Sequence, residues 1–216
     1  MPAAVVCTGV YLKSRIIIGP AEWAAGPQGL MPATALSASL RDLGFPLRRF
    51  KTGTPARVAE NGIDFDRMTP QHGDEPPTPF SFLTDRPIRN KMDCYLTWTN
   101  ERTHEIIRQN LDRAPMFTGA ITGVGARYCP SIETKVLRFA DKDRHQIFLE
   151  PEGDGYPEWY VQGMSTSMPE DVQWDMYRTI PGLEHCQITR LAYAIEYDCI
   201  DPLSLTPYLG ARQAGG

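Results

Sequence analysis

The sequence has 216 residues, enough for one large or two small domains with a real hydrophobic core. Its 42% hydrophobic and 22% charged residues are typical of a soluble globular protein, and the net charge of −4 argues against a generally basic nucleic-acid-binding domain. No apolar run approaches the ~20 residues that span a bilayer, and no basic segment precedes the apolar start, so we expect no membrane anchor and no signal peptide.

The cysteines indicate the redox state of the chain. There are five, widely spaced and without a C-x-x-C pair: Cys7, Cys94, Cys129, Cys186 and Cys199. This spacing fits neither a disulfide scaffold nor a closed zinc site, so we predict reduced thiols in a cytosolic protein and no metal site. Four of them lie in or beside apolar runs and are interpreted as structural; Cys129 is the exception.

The first third of the chain predicts two strands, a loop and a helix. Residues 3–9, "AAVVCTG", predict a buried strand that ends in a tight turn at Gly9, and residues 15–19, "RIIIG", predict a second strand. A glycine-rich loop follows. Residues 33–43 predict a helix that Gly44 ends, with an apolar face formed by Ala35, Leu36, Leu40 and Leu43.

A basic stretch follows the helix. The segment "LRRFKTGTPARV" places Arg48, Arg49, Lys51 and Arg57 around a predicted Thr-Gly-Thr-Pro turn. Cations, hydroxyls and backbone amides at this density suit phosphate, but a solvated basic loop explains the pattern equally well.

Residues 59–92 are rich in proline and acidic residues and predict a long irregular connection, whose Phe80, Phe82 and Leu83 we expect to dock partly on a surface. Residues 94–99 and "HQIFLEP" predict strands. Between them, "NERTHEIIRQNL" predicts a helix capped near Thr99 or Asn100, with His104 at the surface.

The last third predicts one more helix and one or two strands. Ser167 and Glu170 have the spacing of a capping box, followed by a buried stripe of Val172, Met176 and Ile180. "QITRLAYAIEYDCIDP" predicts the strands, and the tail from Tyr208 onward has no pattern.

The stretch "GARYCPSIETKVLRF", residues 125–139, carries the strongest chemical signal. We predict that Ser131 caps a helix over residues 132–139, with Glu133 in its first turn, so that Cys129 lies near free amides at the positive end. Together with Arg127, this would favour the thiolate and lower the pKa of Cys129. Tyr128 offers a ring on which a base could stack. A buried cysteine that merely precedes a helix is the simpler alternative.

This stretch resembles the signature of the tRNA uridine-5-carboxymethylaminomethyl modification enzyme family, MnmG or GidA. Gly125, the run from Tyr128 to Glu133, and Lys135, Val136, Arg138 and Phe139 match it, whereas Ala126 stands where the family has proline. "CTGVYLKSRIIIG", "RRFKTGTPARV" and "AYAIEYDCIDP" also resemble the family in the same order, closest to its Firmicute-type version.

The resemblance implies a fold and a domain organisation. The expected fold class is α/β: part of an FAD-binding Rossmann-like fold with an inserted α/β, nicotinamide-binding domain. Residues 1–50 would belong to the FAD-binding domain, 51–190 to the insertion, 191–209 to the FAD-binding domain again, and 210–216 to an unstructured tail. The family chain is longer and opens with Gly-x-Gly-x-x-Gly, a motif that this sequence lacks, so we expect an internal fragment that is inactive by itself.

The resemblance also implies an activity and its cofactors. The family alkylates carbon 5 of the wobble uridine in tRNA with FAD, NADH and a folate-derived one-carbon donor. It works in the cytoplasm with the GTPase MnmE, and as a homodimer. Cys129 would be the catalytic thiol.

The resemblance also implies which residues contact the cofactors. NAD would contact Gly125, Ala126, Arg127, Tyr128, Cys129, Pro130, Ser131, Ile132, Glu133, Thr134, Lys135, Val136, Leu137, Arg138 and Phe139. FAD would contact Ala33, with Thr8 and Gly9. The cations Arg48, Arg49, Lys51 and Arg57 are our own inference for anticodon phosphates.

Two other readings remain open. The first is the related folate- and FAD-dependent methyltransferase of a uridine in the tRNA T loop, against which the residues 127–133 argue because that enzyme lacks them. The second is a generic flavin and NADH oxidoreductase without an RNA substrate.

Overall fold

The computed structural model describes residues 4–125 and 128–213. Two sheets organise them, with strand orders β2-β1-β11-β3-β7 and β10-β4-β9-β8-β6-β5. The strands are β1 (Arg15–Ile18), β2 (Ala21–Trp23), β3 (Leu47–Thr54), β4 (Arg57–Ala59), β5 (Thr69–Gln71), β6 (Cys94–Trp98), β7 (Val124–Gly125), β8 (Gln146–Pro151), β9 (Glu158–Gln162), β10 (Ile188–Arg190) and β11 (Tyr193–Ile200). The α-helices are α1 (Ala35–Asp42), α2 (Glu101–Gln109), α3 (Pro115–Thr118), α4 (Ile132–Arg138) and α5 (Glu170–Tyr177).

The first sheet is built around the long antiparallel pair β3 and β11. These strands pair in continuous register from Thr54 opposite Tyr193 to Leu47 opposite Ile200. β1 adds to the far side of β11, and the short β7 adds to β3 in parallel, with Gly125 opposite Lys51. β3 therefore lies directly beside the strand that leads into the cysteine stretch.

The second sheet carries the larger hydrophobic core. Its strands pack with α2, α4 and α5 around apolar side chains that are almost wholly buried, among them Ile107, Ile132, Val136, Ile147, Leu149, Val161, Val172, Met176 and Ile180. Burial of these side chains is the main favourable contribution to the stability of this layer. The predicted stripe of α5 is confirmed, and so are the strands at 94–99 and 146–151.

The predicted α/β fold class is confirmed by these two sheets and their helices. The first sheet uses residues 15–23, 47–54, 124–125 and 193–200, and the second uses residues between 57 and 190. At the C-terminal end, Leu205 bridges Ala211, and residues 214–216 lie outside the described residues.

Three predictions about a strand, a turn and a loop are wrong. Residues 4–8 form no strand, and Val5 and Val6 are exposed, because no described strand pairs with them; only the turn at Gly9, with φ +51°, is present. Thr52-Gly53-Thr54 form no turn either, because hydrogen bonds to β11 keep them extended in β3. Phe80, Phe82 and Leu83 contact no surface and are fully exposed.

The helix ends follow the prediction in part. Gly44, with φ +84°, follows α1, but Leu36 and Leu43 are exposed and only Leu40 of the predicted face is buried. Asn100 caps α2 with a complete capping box. The predicted Ser167 cap is wrong, because α5 begins after Pro169 and the Ser167 hydroxyl is buried without a partner.

His104 was expected at the surface and is buried instead. Its Nε2 lies 2.8 Å from the Thr99 hydroxyl, and its ring packs 5.2 Å from that of His145. His104 is buried because it lies three residues, or about one helical turn, before Ile107, on the side of α2 that faces the core. No helix in the described part of the chain has the length and apolarity needed to cross a membrane.

Candidate thiol site

Cys129 lies three residues before the first residue of α4 and beside Thr52 of β3. Its sulfur is 3.7 Å from the Thr52 hydroxyl, within hydrogen-bonding reach for sulfur. The thiol is partly exposed, and all five cysteines are free. Cys129 is therefore accessible to a reactant, whereas Cys186 is buried in the core, where burial raises its pKa to about 11.

The start of α4 differs from the prediction. Ser131 occupies the N-cap position but makes no capping bond; its hydroxyl lies 2.9 Å from that of Thr134. The amide of Ile132 donates to the carbonyl of Ser165 at 2.8 Å. Because this amide already donates to a carbonyl of another loop, it is not one of the free amides that the sequence predicted near Cys129.

Two ionisable side chains, one on β3 and one on α4, are buried. Lys51 on β3 is 4% exposed and Glu133 on α4 is wholly buried. Burial lowers the pKa of Lys51, while Glu133 and then Cys129 oppose that change. Burial raises the pKa of Glu133, and its own backbone, Lys51 and two nearby hydroxyls oppose it less strongly.

Lys135 is a half-buried cation on α4. Its Nζ donates to the Gly163 carbonyl at 3.0 Å, which fixes the side chain. Burial lowers the pKa of Lys135, and the charge of Cys129 acts in the opposite direction.

Glu196 holds the segment that leads into the thiol. Its buried carboxylate accepts hydrogen bonds from the amides of Thr122 and Gly123 and from the Arg15 guanidinium. Burial alone would raise the pKa of Glu196, but these bonds lower it overall. The anchored segment ends in Gly125, where β7 pairs with β3.

The rest of the 125–139 stretch divides between surface and core. Ala126 and Arg127 lie outside the described residues. Tyr128, Leu137, Arg138 and Phe139 are exposed, Pro130, Thr134 and Lys135 are half-buried, and Ser131, Ile132, Glu133 and Val136 are buried. A bound cofactor could reach only the exposed and half-buried part of the stretch.

The three residues expected at FAD meet in one place. The Tyr11 amide donates to the Thr8 carbonyl at 3.1 Å, closing the turn that contains Gly9. Tyr11 and Lys13 in turn exchange backbone hydrogen bonds with Ala33, each 2.9 Å long. Two segments far apart in sequence thus form one surface of small residues and backbone.

The basic residues do not form the cluster that the sequence suggested. Arg48 pairs with Asp201 at 2.7 Å, Arg49 with Asp198 at 3.2 Å, and Arg57 with Glu152 at 2.7 Å. Lys51 is buried, so its ammonium is withdrawn from the surface. The reason is strand alternation: in β3, residues 48 and 49 point to opposite faces, as do 51 and 52.

Sequence reasoning missed Thr52, Glu196 and the buried placement of Lys51 and Glu133. One signal was available for Glu133, because it lies one and three positions from Ile132 and Val136 on the inward face of α4. No group of His, Cys, Asp and Glu in the described part of the chain has the arrangement of a metal site.

The fold and this site define a mixed α/β protein with a partly exposed thiol beside β3 of the first sheet. A family model described as "Glucose inhibited division protein A" matches residues 1–216. A curated relative in Clostridium botulinum (strain Loch Maree / Type A3) is 56% identical over 99% of this chain. Another, in Heliobacterium modesticaldum, is 56% identical over 100% of it. Both are named tRNA uridine 5-carboxymethylaminomethyl modification enzyme MnmG.

A solved structure of Aquifex aeolicus GidA (form II crystal) matches with a TM-score of 0.86 and 46% identity over 97% of this chain. The chain therefore belongs to the GidA family. It spans about a third of the length of its relatives, 34% of both the Clostridium botulinum protein and the Aquifex aeolicus chain.

Proposed function

We propose that this chain supplies the reactive thiol and two cofactor-contact segments of an FAD-dependent enzyme that modifies carbon 5 of the wobble uridine in tRNA. The group added would be carboxymethylaminomethyl or aminomethyl. The observation that supports this most is the position of Cys129, whose sulfur is partly exposed and 3.7 Å from Thr52, inside a matching family signature. The names of the curated relatives support the substrate class.

The chemistry requires a thiolate because carbon 5 of uracil is a weak nucleophile. The Cys129 thiolate adds to carbon 6, forming a C–S bond, and the π electrons of the ring move to the carbon 4 oxygen as an enolate. Carbon 5 then bonds to the methylene carbon of an iminium ion formed from the folate-derived one-carbon unit and an amine, glycine or ammonium; the C=N π electrons move to nitrogen, which leaves the carboxymethylaminomethyl or aminomethyl group on carbon 5. Loss of the carbon 5 proton and cleavage of the C–S bond restore the ring and the thiolate. The base must leave its stack to reach the sulfur.

The residues expected at FAD are compatible with a flat cofactor. Gly9 has φ +51°, which favours glycine, and the Thr8–Gly9 turn adjoins Ala33 through Tyr11, so backbone and small side chains line the surface. When bound, FAD would supply the redox chemistry. Thr8, Gly9 and Ala33 would hold it.

The residues expected at NADH are compatible in part. The space where a Cβ of Gly125 would lie is open, and the Tyr128 ring is exposed. These residues, with Pro130 and the exposed end of α4, would hold the nicotinamide cofactor, whereas Ile132 and Val136 act as core residues.

The partners follow from the same proposal. Arg48, Arg49 and Arg57 would exchange their present carboxylate partners for tRNA phosphates, and buried Lys51 is removed from that set.

We propose that the complete protein is a cytoplasmic homodimer that works with the GTPase MnmE. The 216-residue chain alone would be inactive, since the sequence contains no Gly-x-Gly-x-x-Gly motif for the FAD pyrophosphate.

The decisive experiment is a chimera in which this chain replaces the matching segment of the Clostridium botulinum relative. Cys129→Ser should abolish wobble-uridine modification, measured by mass spectrometry of tRNA nucleosides, while bound FAD measured by absorbance is unchanged. Cys199→Ser, which alters a half-buried thiol elsewhere, is the matched control and should keep activity. Full modification by the Cys129→Ser chimera would refute the assigned role.

A further inference from the structure

A cavity of about 420 Å³ is lined by residues of both sheets. The first sheet contributes Ile16, Trp23 and Tyr193, and the second contributes Arg57 and Arg190. Its volume lies in the range of ligand pockets, which often form at domain interfaces. None of these residues belongs to the segments expected at FAD or NAD, so the cavity is a separate candidate site.

The strand register places this cavity on the same face of the first sheet as the thiol. Trp23 lies opposite Ile16, which in turn lies opposite Ile195. Ile195 lies opposite Thr52, whose hydroxyl is 3.7 Å from the sulfur of Cys129. Residues opposite each other in antiparallel strands share a face, so one row of side chains runs from the cavity to the thiol.

Tyr193 sets the separation between the cavity and the thiol. It lies two residues from Ile195 on β11 and is therefore a diagonal neighbour of Thr52 across the strand pair. Diagonal neighbours are about 7–8 Å apart, which is roughly two nucleotide steps of 3.4 Å in a stacked strand. An RNA strand whose uridine base reaches Cys129 can therefore place a neighbouring nucleotide in the cavity.

Both arginines of the cavity retain hydrogen-bond donors for a ligand. Arg57 donates through Nε and Nη1, but within the described part of the chain nothing accepts a hydrogen bond from its Nη2. Arg190 is 43% exposed and lies 3.3 Å from Glu158 through Nη2 alone. Exposed ion pairs contribute little to stability, so Arg190 can leave Glu158 for a phosphate, which guanidinium groups bind well.

The loop that lines the cavity has an unusual backbone conformation. Gln28 has φ +56°, and its amide donates to the Tyr193 hydroxyl at 3.1 Å. Gly29, with φ +77°, has open space where a Cβ would lie. A residue other than glycine is uncommon in the left-handed region, and such residues cluster at ligand sites. With Trp23 45% exposed, the cavity offers both bare backbone and a ring for stacking.

We propose that this cavity binds a nucleotide neighbouring the modified uridine, with the base against the Trp23 ring and the phosphate on Arg190 and Arg57. The proposal deepens the proposed function and rests on it, because it assigns a second contact to the same RNA substrate. Stacking of bases on aromatic rings and cationic contacts to phosphate are the interactions by which proteins hold single strands.

The test is the binding of a fluorescein-labelled uridine trinucleotide to the 216-residue chain, measured by fluorescence anisotropy at several salt concentrations. We expect Trp23→Ala to raise Kd about tenfold, through the loss of one base–ring stack, and to leave the dependence on salt unchanged. Arg190→Met should raise Kd and lower the slope of log Kd against log salt concentration by about 0.7, the value for one phosphate contact to a single strand.

Two matched controls make the same chemical changes elsewhere on the chain. Arg67→Met removes an exposed arginine that pairs with Glu184, and Trp174→Ala removes a half-buried tryptophan of α5. Arg67→Met lowers the net charge as much as Arg190→Met does, so it measures the effect of charge alone. Both controls should keep a Kd and a salt slope close to those of the parent chain.

The outcomes are separable. Absence of binding by the parent chain, or an unchanged Kd in either Trp23→Ala or Arg190→Met, would overturn the inference. If NADH displaced the labelled trinucleotide as well as unlabelled trinucleotide does, the cavity would be a site for a free dinucleotide and the RNA assignment would be wrong. An active Cys129→Ser chimera would refute the thiol role in the proposed function and leave these binding curves intact.

Discussion

The hydroxyl of Thr52 lies 3.7 Å from the sulfur of Cys129, although the two residues are 77 positions apart in the chain. The contact joins β3, which lies between β11 and β7 in the first sheet, to the segment before α4. Thr52 is therefore a side chain that touches the thiol directly.

Thr52→Val should slow alkylation of Cys129. Valine keeps the β-branched shape of threonine but removes the hydroxyl, so the sulfur loses its hydrogen-bond partner. Alkylation proceeds through the thiolate, to which the Thr52 hydroxyl would donate; a contribution of about 0.5–1.5 kcal/mol from this hydrogen bond predicts a rate about two- to tenfold lower at neutral pH. Thr52→Ser is the matched control and should stay close to the parent rate; an equal loss in both variants would contradict the prediction.

Gly123→Ala should destabilise the protein. A Cβ at this position would lie 2.8 Å from the backbone of Phe50 and 3.1 Å from the Glu196 carboxylate, so the loop must move away from β3. We expect a free energy of unfolding lower by about 1–3 kcal/mol in urea titrations. Gly125→Ala, two residues on and with open space at its Cβ, should be nearly neutral for stability. Equal stability of the two variants would argue against the close approach at Gly123.

Glu196→Gln should change how stability depends on acid. The native carboxylate has a lowered pKa, so its contribution is present above the unfolded value of about 4.3 and is lost as pH falls through the native value. The variant should be less stable at pH 7 by about 1.5–3 kcal/mol and should lose less stability between pH 5 and pH 3.

The control for that measurement is Glu22→Gln. Glu22 pairs with the same Arg15 at 2.8 Å but is half exposed, and exposed pairs contribute little. Denaturation at pH 7 should therefore give a clearly lower free energy of unfolding for Glu196→Gln than for Glu22→Gln. Parallel pH profiles for Glu196→Gln and the parent protein would disprove the assigned role of the carboxylate.

The pair of buried His104 and half-buried His145 should make the protein sensitive to mild acid. Burial lowers the pKa of both rings, the Arg108 cation adds to this at His104, and His104 adds to it at His145. A histidine with a lowered native pKa stabilises the fold fully above its unfolded pKa of about 6.5, and this contribution is lost as pH falls below that value. We expect Tm to fall as the pH is lowered from 8 to 5, and we expect His145→Phe to weaken this dependence of Tm on pH.

His72→Gln provides the comparison, because His72 is exposed and pairs with Asp93 at the surface. It should keep the slope of the parent protein. A Tm that does not change from pH 8 to pH 5 would show that His104 and His145 do not titrate in that range.

Local pattern determined much of the secondary structure. Apolar periodicity located β6, β8 and the stripe of α5, and Gly44 marked the end of α1, because these signals depend on neighbouring residues alone. The predicted strand at residues 3–9 failed because a strand also needs a partner, which sequence does not reveal.

The sequence by itself determined that Cys129 is the chemically distinctive residue and that its surroundings match one family. Only the tertiary structure decided that Thr52, 77 positions away on β3, touches it. Strand alternation and the packing of α4 also bury Lys51 and Glu133, although one looked like a surface cation and the other like a first-turn residue of a helix. Charge at a position is fixed by the amino acid, but its burial, and therefore its electrostatic effect, depends on which distant segments pack around it.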